Sequence, residues 1–472
     1  VFFIGLLVRS GIQILASYPR LFWNDDSTPG REWLKFTRRK EPTDRLWISL
    51  EDEKSVTPLI AQPGGNNLGL GRHFHFFSVV FWVLSGLMYV ILLFVTGEWS
   101  RLIPTSWAIF PDALRTFTEY ITFQIPPASE FRPYDPLQQL TYAAVVFLLG
   151  PFLIATGAAQ PPGIEARFPW YPRIFGGRQS ARSLHFLGLL AVVAFTIVHT
   201  VMVIVTGLGK NLGDIMLGYH GRDEGLSIIL GIIIIAGILA LYGLLSWLSL
   251  THKRAAQHAL SAFYSPPVRL LTLRATSKQQ YDPSEISPFF TVNGSPPRSS
   301  EYLTQLWLDF EHYALEVTGL VEQPLRLTLA DLQAMPRQSQ ITKHHCIQGW
   351  SAVGQWAGVP VREILARCQP LANARHVIFW SYSTDTSGQQ FYESIPIEAA
   401  LEEQTILAYE MNGRPLPEAH GAPLRLRCET LLGFKMCKWV CRMELVEDYK
   451  TIRGGQGGSR EDNRFYEVYA GI

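Results

Sequence analysis

Residues Ser183 to Thr206 have the sequence SLHFLGLLAVVAFTIVHTVMVIVT, an apolar run with two histidines and no charged side chain. A helix needs about 20 apolar residues to cross the hydrocarbon core of a bilayer. This run therefore predicts a membrane-spanning helix. Runs of similar length at about 74–96, 138–157 and 226–249 predict three more spans.

A fifth apolar run extends from Val1 to about Ala16. It lacks the basic start and the small-residue cleavage site of a signal peptide, so we interpret it as the end of a fifth span whose beginning is missing. Trp107 to Phe123 is typical of an amphipathic helix at the membrane interface. Residues 1–250 are thus predicted to form an all-α transmembrane bundle of about five spans.

The composition changes after the last span. Residues 251–300 are polar and contain Pro and Ser, which predicts a linker or a wrapping arm. Residues 301–453 are predicted to form a soluble α+β domain. Residues 454–472 form a Gly-rich tail, and its aromatic end at Phe465 to Tyr469 is expected to dock on the rest of the molecule.

The prediction of an α+β domain rests on short alternating runs separated by Pro and Gly. Tyr313–Gly319 and Val377–Trp380 are two such runs, and each predicts a strand. Two brief helical patterns, at 328–334 and 360–368, interrupt the strands.

The charge of the chain excludes some partners and orients the bundle. A net charge of +1 gives no indication of nucleic-acid binding. Lys and Arg are dense in 18–72, in 158–182 and directly after the last span. The positive-inside rule therefore predicts an integral, multi-pass protein of the inner membrane with its C-terminal domain on the cytoplasmic side.

Two histidines share one face of the third complete span. His185 and His199 are 14 residues apart, which is about four turns and about 21 Å along the axis. One helix thus offers an axial ligand near each membrane face, as a two-haem electron path requires. An ionisable group as deep in an apolar run as His199 is functional by default.

His73 and His75 open the helix at 74–96, and either of them could pair with His185 around one haem. The alternative for each is an ordinary polar residue at the membrane interface.

The bundle resembles the di-haem cytochrome b family that serves Ni/Fe hydrogenases, formate dehydrogenases and thiosulfate reductases. The resemblance covers about residues 1–210 and rests on the helix-end histidine of the second span, the His185–His199 pair and the segment SGIQILASYPRLFW at 10–23. It implies haem b. The family carries a further histidine early in the first helix, whereas no histidine precedes His73 here. Either that residue lies upstream of Val1 or the second haem is absent, so one or two haems are expected.

In the second half, Lys343 to Ser351 has the sequence KHHCIQGWS. Its cysteine, Cys346, stands at a His-flanked strand end, where cationic neighbours are expected to lower the thiol pKa. Thiolates suit soft or high-valent redox metals. A structural buried cysteine is the alternative, and a cysteine protease lacks an evident oriented His/Asn pair. The five cysteines contain no CxxC pair, so neither a disulfide framework nor a zinc or iron–sulfur site is indicated.

Residues 310–447 resemble the molybdopterin domain of sulfite oxidases and of the catalytic subunit of periplasmic methionine-sulfoxide reductase. Four segments match in order: LEVTGLVEQPLRLTLADL (315–332), CIQGWS with WAGVPVREIL (346–365), MNGRPLPEAHGAPLRL (411–426) and GFKMCKWVCRMEL (433–445). The resemblance implies that Cys346 is the protein thiolate on molybdenum.

The resemblance also implies a set of residues that hold the pterin and its phosphate. They are Phe290, Thr291, Asn293, His345, Ser381, His420, Arg425, Met436, Cys437 and Lys438. Lys438 and Arg425 suit a phosphate, which binds charged forks and backbone N–H groups. His345 takes the place of an arginine that the family often has before the metal cysteine.

Together the two halves predict a membrane-bound molybdenum oxidoreductase. Electrons would pass between quinone or quinol, haem b and a molybdenum–molybdopterin centre, with oxygen-atom transfer to or from a small oxyanion or sulfoxide-type substrate. The absence of an evident arginine cluster around the metal cysteine favours a reductase. The alternatives are a metal-free docking domain on a cytochrome b anchor and a plain cytochrome b561-like carrier.

Overall fold

The computed structural model describes residues 2–42, 44–124, 134–217, 224–272 and 278–467. A bundle of helices is followed by a β-rich domain, as predicted. Four helices are long and apolar enough to cross a membrane. Only 6–11% of the most apolar 18-residue stretch of each helix is buried in the protein. Apolar surface of this extent requires lipid around it. The four complete spans predicted from the sequence are confirmed.

The bundle helices lie close to their predicted positions. They are α1 (Phe2–Ser17), α2 (Leu68–Val95), α3 (Ile109–Ile121), α4 (Pro136–Ala158), α5 (Arg178–Val205), α6 (Leu208–Met216) and α7 (Glu224–Thr251). Helix α1 is the short apolar helix of the predicted fifth span, and α3 is the predicted amphipathic helix. The loop between α4 and α5 contains the short helices Pro162–Arg167 and Trp170–Ile174.

A further helix, α8 (Lys253–Thr272), occupies the start of the segment predicted to be a linker. Its first eight residues, KRAAQHAL, are mostly strong helix formers, which explains the helix. Residues 278–299 are irregular and follow the domain surface, where the Ser287 amide donates to the Val353 carbonyl at 3.0 Å.

The C-terminal domain has two five-stranded sheets. Its strands are β1 (Ala314–Gly319), β2 (Leu325–Thr328), β3 (Gln338–His345), β4 (Ser351–Pro360), β5 (His376–Thr384), β6 (Gln390–Pro396), β7 (Thr405–Met411), β8 (Arg414–Pro415), β9 (Arg425–Cys428) and β10 (Val440–Val446). One sheet has the order β8-β7-β4-β3 with β9 also paired to β7, and the other has the order β2-β1-β10-β5-β6. Only β1 and β10 pair in parallel among the described strands.

Short helices complete this domain. They are α9 (Ser300–Trp307), α10 (Leu329–Gln333), α11 (Val361–Cys368), α12 (Ile397–Leu401) and α13 (Ser459–Arg464). The strands and helices predicted at 313–319, 377–380, 328–334 and 360–368 are confirmed as β1, β5, α10 and α11. A continuous apolar core joins the sheets and contains Cys368, Cys428 and Cys437.

The C-terminal tail is held against both halves of the molecule. Arg254 of α8 donates to the carbonyls of Glu461 and Asp462 at 3.0 and 2.9 Å. Gln257 of α8 donates to the Tyr466 carbonyl at 3.0 Å. Of the predicted aromatic end, residues 468 and 469 lie outside the described residues, whereas Phe465 and Tyr466 dock as expected.

Candidate functional site

Cys346 lies in the turn between β3 and β4. Its amide donates to the Trp350 carbonyl and its carbonyl accepts from the Gly349 amide, both at 3.0 Å. Gly349 has φ of +114°, a conformation that favours glycine. The turn therefore holds the Cys346 side chain, which is 5% exposed, at one wall of a cavity.

The environment of the thiol differs from the sequence prediction. Burial raises the pKa of Cys346 to about 11. Hydrogen bonds from the Gln348 backbone and from Asn293, whose Nδ2 lies 3.6 Å from Sγ, lower it in part, as does the charge of Arg178. The prediction of a lowered pKa was wrong because desolvation outweighs the cationic neighbours. A buried, protonated thiol is a poor nucleophile, which argues against a cysteine hydrolase; as a metal ligand Cys346 would bind as the thiolate, after losing its proton to the solvent.

The cavity above Cys346 has a volume of about 620 Å³, within the range of small-molecule sites. Its wall brings together most of the predicted cofactor residues, which come from the arm, β9 and the turn before β10. These are Phe290, Thr291, Asn293, His420, Arg425, Met436, Cys437 and Lys438.

Two buried cations in this wall lack an anion among the described residues. Lys438 donates to the carbonyls of Asn293 and Ala419 at 2.7 and 2.9 Å. Burial, together with Arg425 and Arg460, holds the pKa of Lys438 well below its usual range. Arg425 donates to the His420 carbonyl at 3.0 Å, but its Nε has no hydrogen-bond partner.

The buried donors without partners are suited to the phosphate of the cofactor that the sequence implies. Thr291 is 2% exposed, and its hydroxyl oxygen has no partner among the described residues. Buried donors without partners are costly, and a phosphate provides the anion and the acceptors that these groups lack. The residues present therefore fit a phosphate-bearing pterin with a metal at Cys346.

Two predicted residues lie elsewhere. Successive side chains of a strand point to opposite faces, so His344 shares the face of Cys346 and lines the cavity, whereas His345 points away from it. His345 Nε2 instead lies 3.9 Å from Glu165 of the bundle. Ser381 is also absent from the wall, and its hydroxyl donates to the Lys438 carbonyl at 2.7 Å. Because side chains alternate between the two faces of β3, the sequence could have predicted that His344, and not His345, lies on the same side as Cys346.

The cavity wall also contains arginines that sequence reasoning missed. Arg298 comes from the arm, and Arg460 and Arg464 come from α13. The sequence showed no evident arginine cluster around Cys346, whereas these arginines line the same cavity as that residue. These residues are more than 40 positions from Cys346 in the chain, so no local pattern associates them with it.

A second site lies in the bundle, where the structure brings His75 and His185 together. Their ring centroids are 6.4 Å apart. His75 Nδ1 lies 3.0 Å from the Ser10 hydroxyl, and His185 Nδ1 lies 3.1 Å from the Thr156 hydroxyl. Two imidazoles that bind one metal ion from opposite sides each place a nitrogen about 2 Å from the metal. Adding the distance from each nitrogen to its ring centre gives a separation of ring centres that agrees with the observed one. The pair thus fits two axial ligands of one haem, with each Nδ1 anchored as metal-bound histidines usually are.

The other two candidate haem ligands have different surroundings. His73 is engaged at both ring nitrogens: Nε2 lies 3.2 Å from the Phe465 carbonyl, and Nδ1 contacts the hydroxyls of Ser261 and Tyr264. His199 Nδ1 lies 3.3 Å from the Tyr142 hydroxyl, far along α5 from His185. The structure does not bring a second described histidine to His199.

Family comparisons agree with this division into two sites. Residues 1–218 match the model of the prokaryotic cytochrome b561 family. Residues 303–452 match the model of the oxidoreductase molybdopterin-binding domain.

Two similar proteins each match part of the chain. A protein of Azospira oryzae named as a protein-methionine-sulfoxide reductase subunit, YedZ1, is 31% identical over 190 residues, which cover 39% of this chain and 68% of that protein. The protein-methionine-sulfoxide reductase catalytic subunit MsrP of Xanthomonas campestris pv. campestris is 33% identical over 153 residues, or 30% of this chain and 47% of MsrP. This chain therefore spans about half the length of that catalytic subunit.

Among solved structures, the sulfane dehydrogenase SoxCD of Paracoccus pantotrophus is 27% identical over 29% of this chain and 38% of its own, with a TM-score of 0.26.

Proposed function

Since the chain belongs to the prokaryotic cytochrome b561 family through its bundle and to the molybdopterin-binding oxidoreductases through its C-terminal domain, we propose that one polypeptide joins quinol oxidation to oxygen-atom transfer at molybdenum. The observation that carries this proposal is the presence of both sites in one chain. A buried thiol lies in a cavity with unpaired cations, and a pair of facing histidines lies in the membrane bundle.

In the cavity each residue has a defined task. Cys346 is the protein ligand of the metal, and Lys438 and Arg425 bind the phosphate of the pterin. Thr291 donates its free hydroxyl, and Ser381 orients the backbone of Lys438. When bound, molybdenum supplies reversible two-electron oxygen-atom transfer, and the protein supplies the ligand, the anion site and exclusion of water.

The direction that we propose is reduction of a sulfoxide-type substrate. The balanced reaction takes one sulfoxide, two electrons and two protons to one sulfide and one water. A quinol supplies both the electrons and the protons. The similar proteins named as methionine-sulfoxide reductase subunits support this direction. The arginines of the wall leave a small oxyanion as the second substrate class.

In the bundle, His75 and His185 hold one haem b, anchored through Ser10 and Thr156. His199 is the candidate ligand of a second haem deeper in the membrane, so the chain holds one or two. His73 is left out of this proposal because both of its ring nitrogens are engaged by other groups.

The orientation that we propose places the molybdopterin domain on the cytoplasmic side. The loops that contact this domain, at 18–67 and 159–177, belong to the segments rich in Lys and Arg. Such segments stay on the cytoplasmic side of a membrane.

The proposal is tested by measuring molybdenum and iron per polypeptide, by elemental mass spectrometry, in chain purified in mild detergent from a host that makes the pterin cofactor. We expect about one molybdenum, as a domain with one ligating thiolate holds, and one or two irons. Iron without molybdenum would overturn the proposal and leave a cytochrome with a docking domain.

A further inference from the structure

The turn that carries Cys346 rests on the helices of the haem site. Ile347, directly after the cysteine, shares a buried apolar cluster with Leu68 of α2. Gln348 donates from Nε2 to the carbonyl of Ser17, the last residue of α1, at 3.1 Å. Two consecutive residues of the turn therefore contact two different helices of the bundle.

The third residue of the turn contacts the third helix. The carbonyl of Gly349 accepts from Arg178 at 3.1 Å and from Gln179 at 2.8 Å. Both donors lie in the first turn of α5, and their exposed fractions are 7% and 1%. The Gly349 amide in turn donates to the Cys346 carbonyl at 3.0 Å, so this clamp of Arg178 and Gln179 reaches the backbone of Cys346 only through Gly349.

The same three helices form the haem site. On each helix, the residue that contacts the turn is separated by the same number of positions from the residue at the haem site. Leu68 precedes His75 by seven residues, Arg178 precedes His185 by seven, and Ser17 follows Ser10, the partner of His75, by seven. Seven residues are about two helical turns, or about 10.5 Å. The turn after Cys346 therefore lies two helical turns from the histidine pair on every helix that it contacts.

We propose that residues 347–349 are the route by which the cofactor sites at Cys346 and at the His75–His185 pair exchange electrons. Arg178 and Gln179 are the positioning residues that fix this route. The proposal rests on the proposed function, which supplies the quinol. Electrons would leave a bound haem one at a time, and the loss of each electron would convert one ferrous haem to the ferric form. Two crossings with two protons balance the removal of one oxygen atom as water.

Because they are buried, Arg178 and Gln179 hold the turn at Gly349 in one position. A guanidinium and an amide that share one buried carbonyl restrict both the distance and the angle of the turn. Arg178 is fixed on its other side because Nε donates to the Gln160 carbonyl at 2.6 Å. Gln179 is fixed as well, since its amide donates to Asp25 at 2.8 Å.

A stopped-flow experiment on the complete holo-chain in detergent tests the route. Haem is reduced without oxygen and mixed with methionine sulfoxide, and its reoxidation is followed by absorbance. In R178Q we expect reoxidation to slow by at least about tenfold, because small misplacements in a reactive path are costly. We expect R178K and Q179A to slow it less. Turnover with reduced viologen, which bypasses the haem, and the molybdenum and iron contents should stay at the wild-type level.

The matched control is R254Q. Arg254 also donates from a helix to two backbone carbonyls, those of Glu461 and Asp462 in the C-terminal tail, but away from the turn. Amide hydrogen exchange at 346–351 should rise in R178Q and not in R254Q.

Each result bears on one proposal only. Unchanged reoxidation in both R178Q and Q179A, or equal slowing in R254Q, would overturn the route. Loss of molybdenum in R178Q would also overturn it, because Arg178 would then belong to the cofactor site. Wild-type chain without viologen-linked turnover would instead overturn the proposed function.

Discussion

The Nζ atom of Lys343 in β3 lies 2.6 Å from Oδ2 of Asp25, a residue 318 positions earlier in the loop after α1. The same ammonium lies 2.7 Å from Glu165 in the loop between α4 and α5. The Lys343 side chain is 4% exposed. One buried cation of the molybdopterin domain thus binds two carboxylates of the bundle, three residues before Cys346.

Replacing Lys343 with Met should weaken the contact between the two halves. Two carboxylates would lose their cation, at a cost of about 2 kcal/mol, less than a fully buried pair because Asp25 is partly exposed. Thermal unfolding followed by tryptophan fluorescence measures the loss. The control is K278M, which removes the exposed pair with Glu403 and should cost at most about 0.5 kcal/mol. Equal losses in both variants would contradict the assignment.

The same ion cluster makes a prediction about pH. Burial lowers the pKa of Lys343, but Glu165 and Asp25 outweigh it and raise the pKa above its usual range. A raised lysine pKa contributes stability that is present at all lower pH and is lost only as pH rises through the folded value. The difference in Tm between wild type and K343M should therefore be about the same at every pH from 7 to 9. A difference that disappears within that interval would contradict it.

Replacing Cys346 with Ser should remove molybdenum while the haem absorbance stays. Serine has nearly the same shape but supplies no thiolate, and thiolates are the ligands that such metals prefer. Elemental mass spectrometry and the visible spectrum give the two readings. C368S is the control, since Cys368 lies in the apolar core away from the cavity. Retention of molybdenum in C346S would remove Cys346 from the site.

Replacing His75 or His185 with Leu should abolish the haem that they share, whereas H73Q should retain it. The centroids of the first two rings lie 6.4 Å apart, but His73 binds the tail through the Phe465 carbonyl. Haem content per chain, measured as the pyridine haemochrome, separates the variants. Haem loss in H73Q with retention in H75L would assign the ligand to His73 instead.

Replacing Arg460 with Gln should weaken the binding of anions in the cavity. Arg460 lines the wall with its guanidinium carbon 5.7 Å from the Phe391 ring centre, and no ion pair of the described residues includes it. A charged hydrogen bond contributes about 1.5–3 kcal/mol, so inhibition of viologen-linked turnover by sulfate should weaken by about tenfold or more. The control is R453Q, because Arg453 is an exposed arginine directly before the same tail. Unchanged inhibition in R460Q would remove Arg460 from the anion site.

A buried cluster anchors the tail that carries Arg460. Lys435 lies between Glu393, at 3.3 Å, and Glu461. Burial raises the pKa of both carboxyls, and the charge of Glu461 raises that of Glu393 further. One lysine cannot neutralise two buried carboxylates, so we expect the cluster to retain a proton.

This proton predicts how stability depends on pH. A carboxyl pKa that is raised in the folded state contributes stability at low pH and loses it as pH rises through the folded value. Wild-type stability should therefore fall with rising pH, by up to about 1.4 kcal/mol per pH unit for one proton. E393Q imitates the protonated form and should flatten this slope. Tm measured from pH 6 to pH 9 tests it, and parallel slopes for the two proteins would contradict it.

The sequence predicted the two halves because their signals are local. A span is visible as about 20 consecutive apolar residues, and a strand is visible as alternation over a few positions. Cys346 was identified in the same way, since its neighbours on the chain carry the motif. The helix at Lys253–Thr272 was missed because its polar composition resembles that of a linker, although its polar face binds the tail.

The sequence alone determined the membrane bundle and the α+β domain, and it identified Cys346 and the histidines as the candidate ligands. The tertiary structure decided which histidine lies next to His185, which of two adjacent histidines lines the cavity, and which arginines line the cavity of Cys346. It also decided that burial raises the pKa of the thiol. These outcomes depend on distance and desolvation between groups far apart in the chain, whereas a sequence pattern records only the order of residues along it.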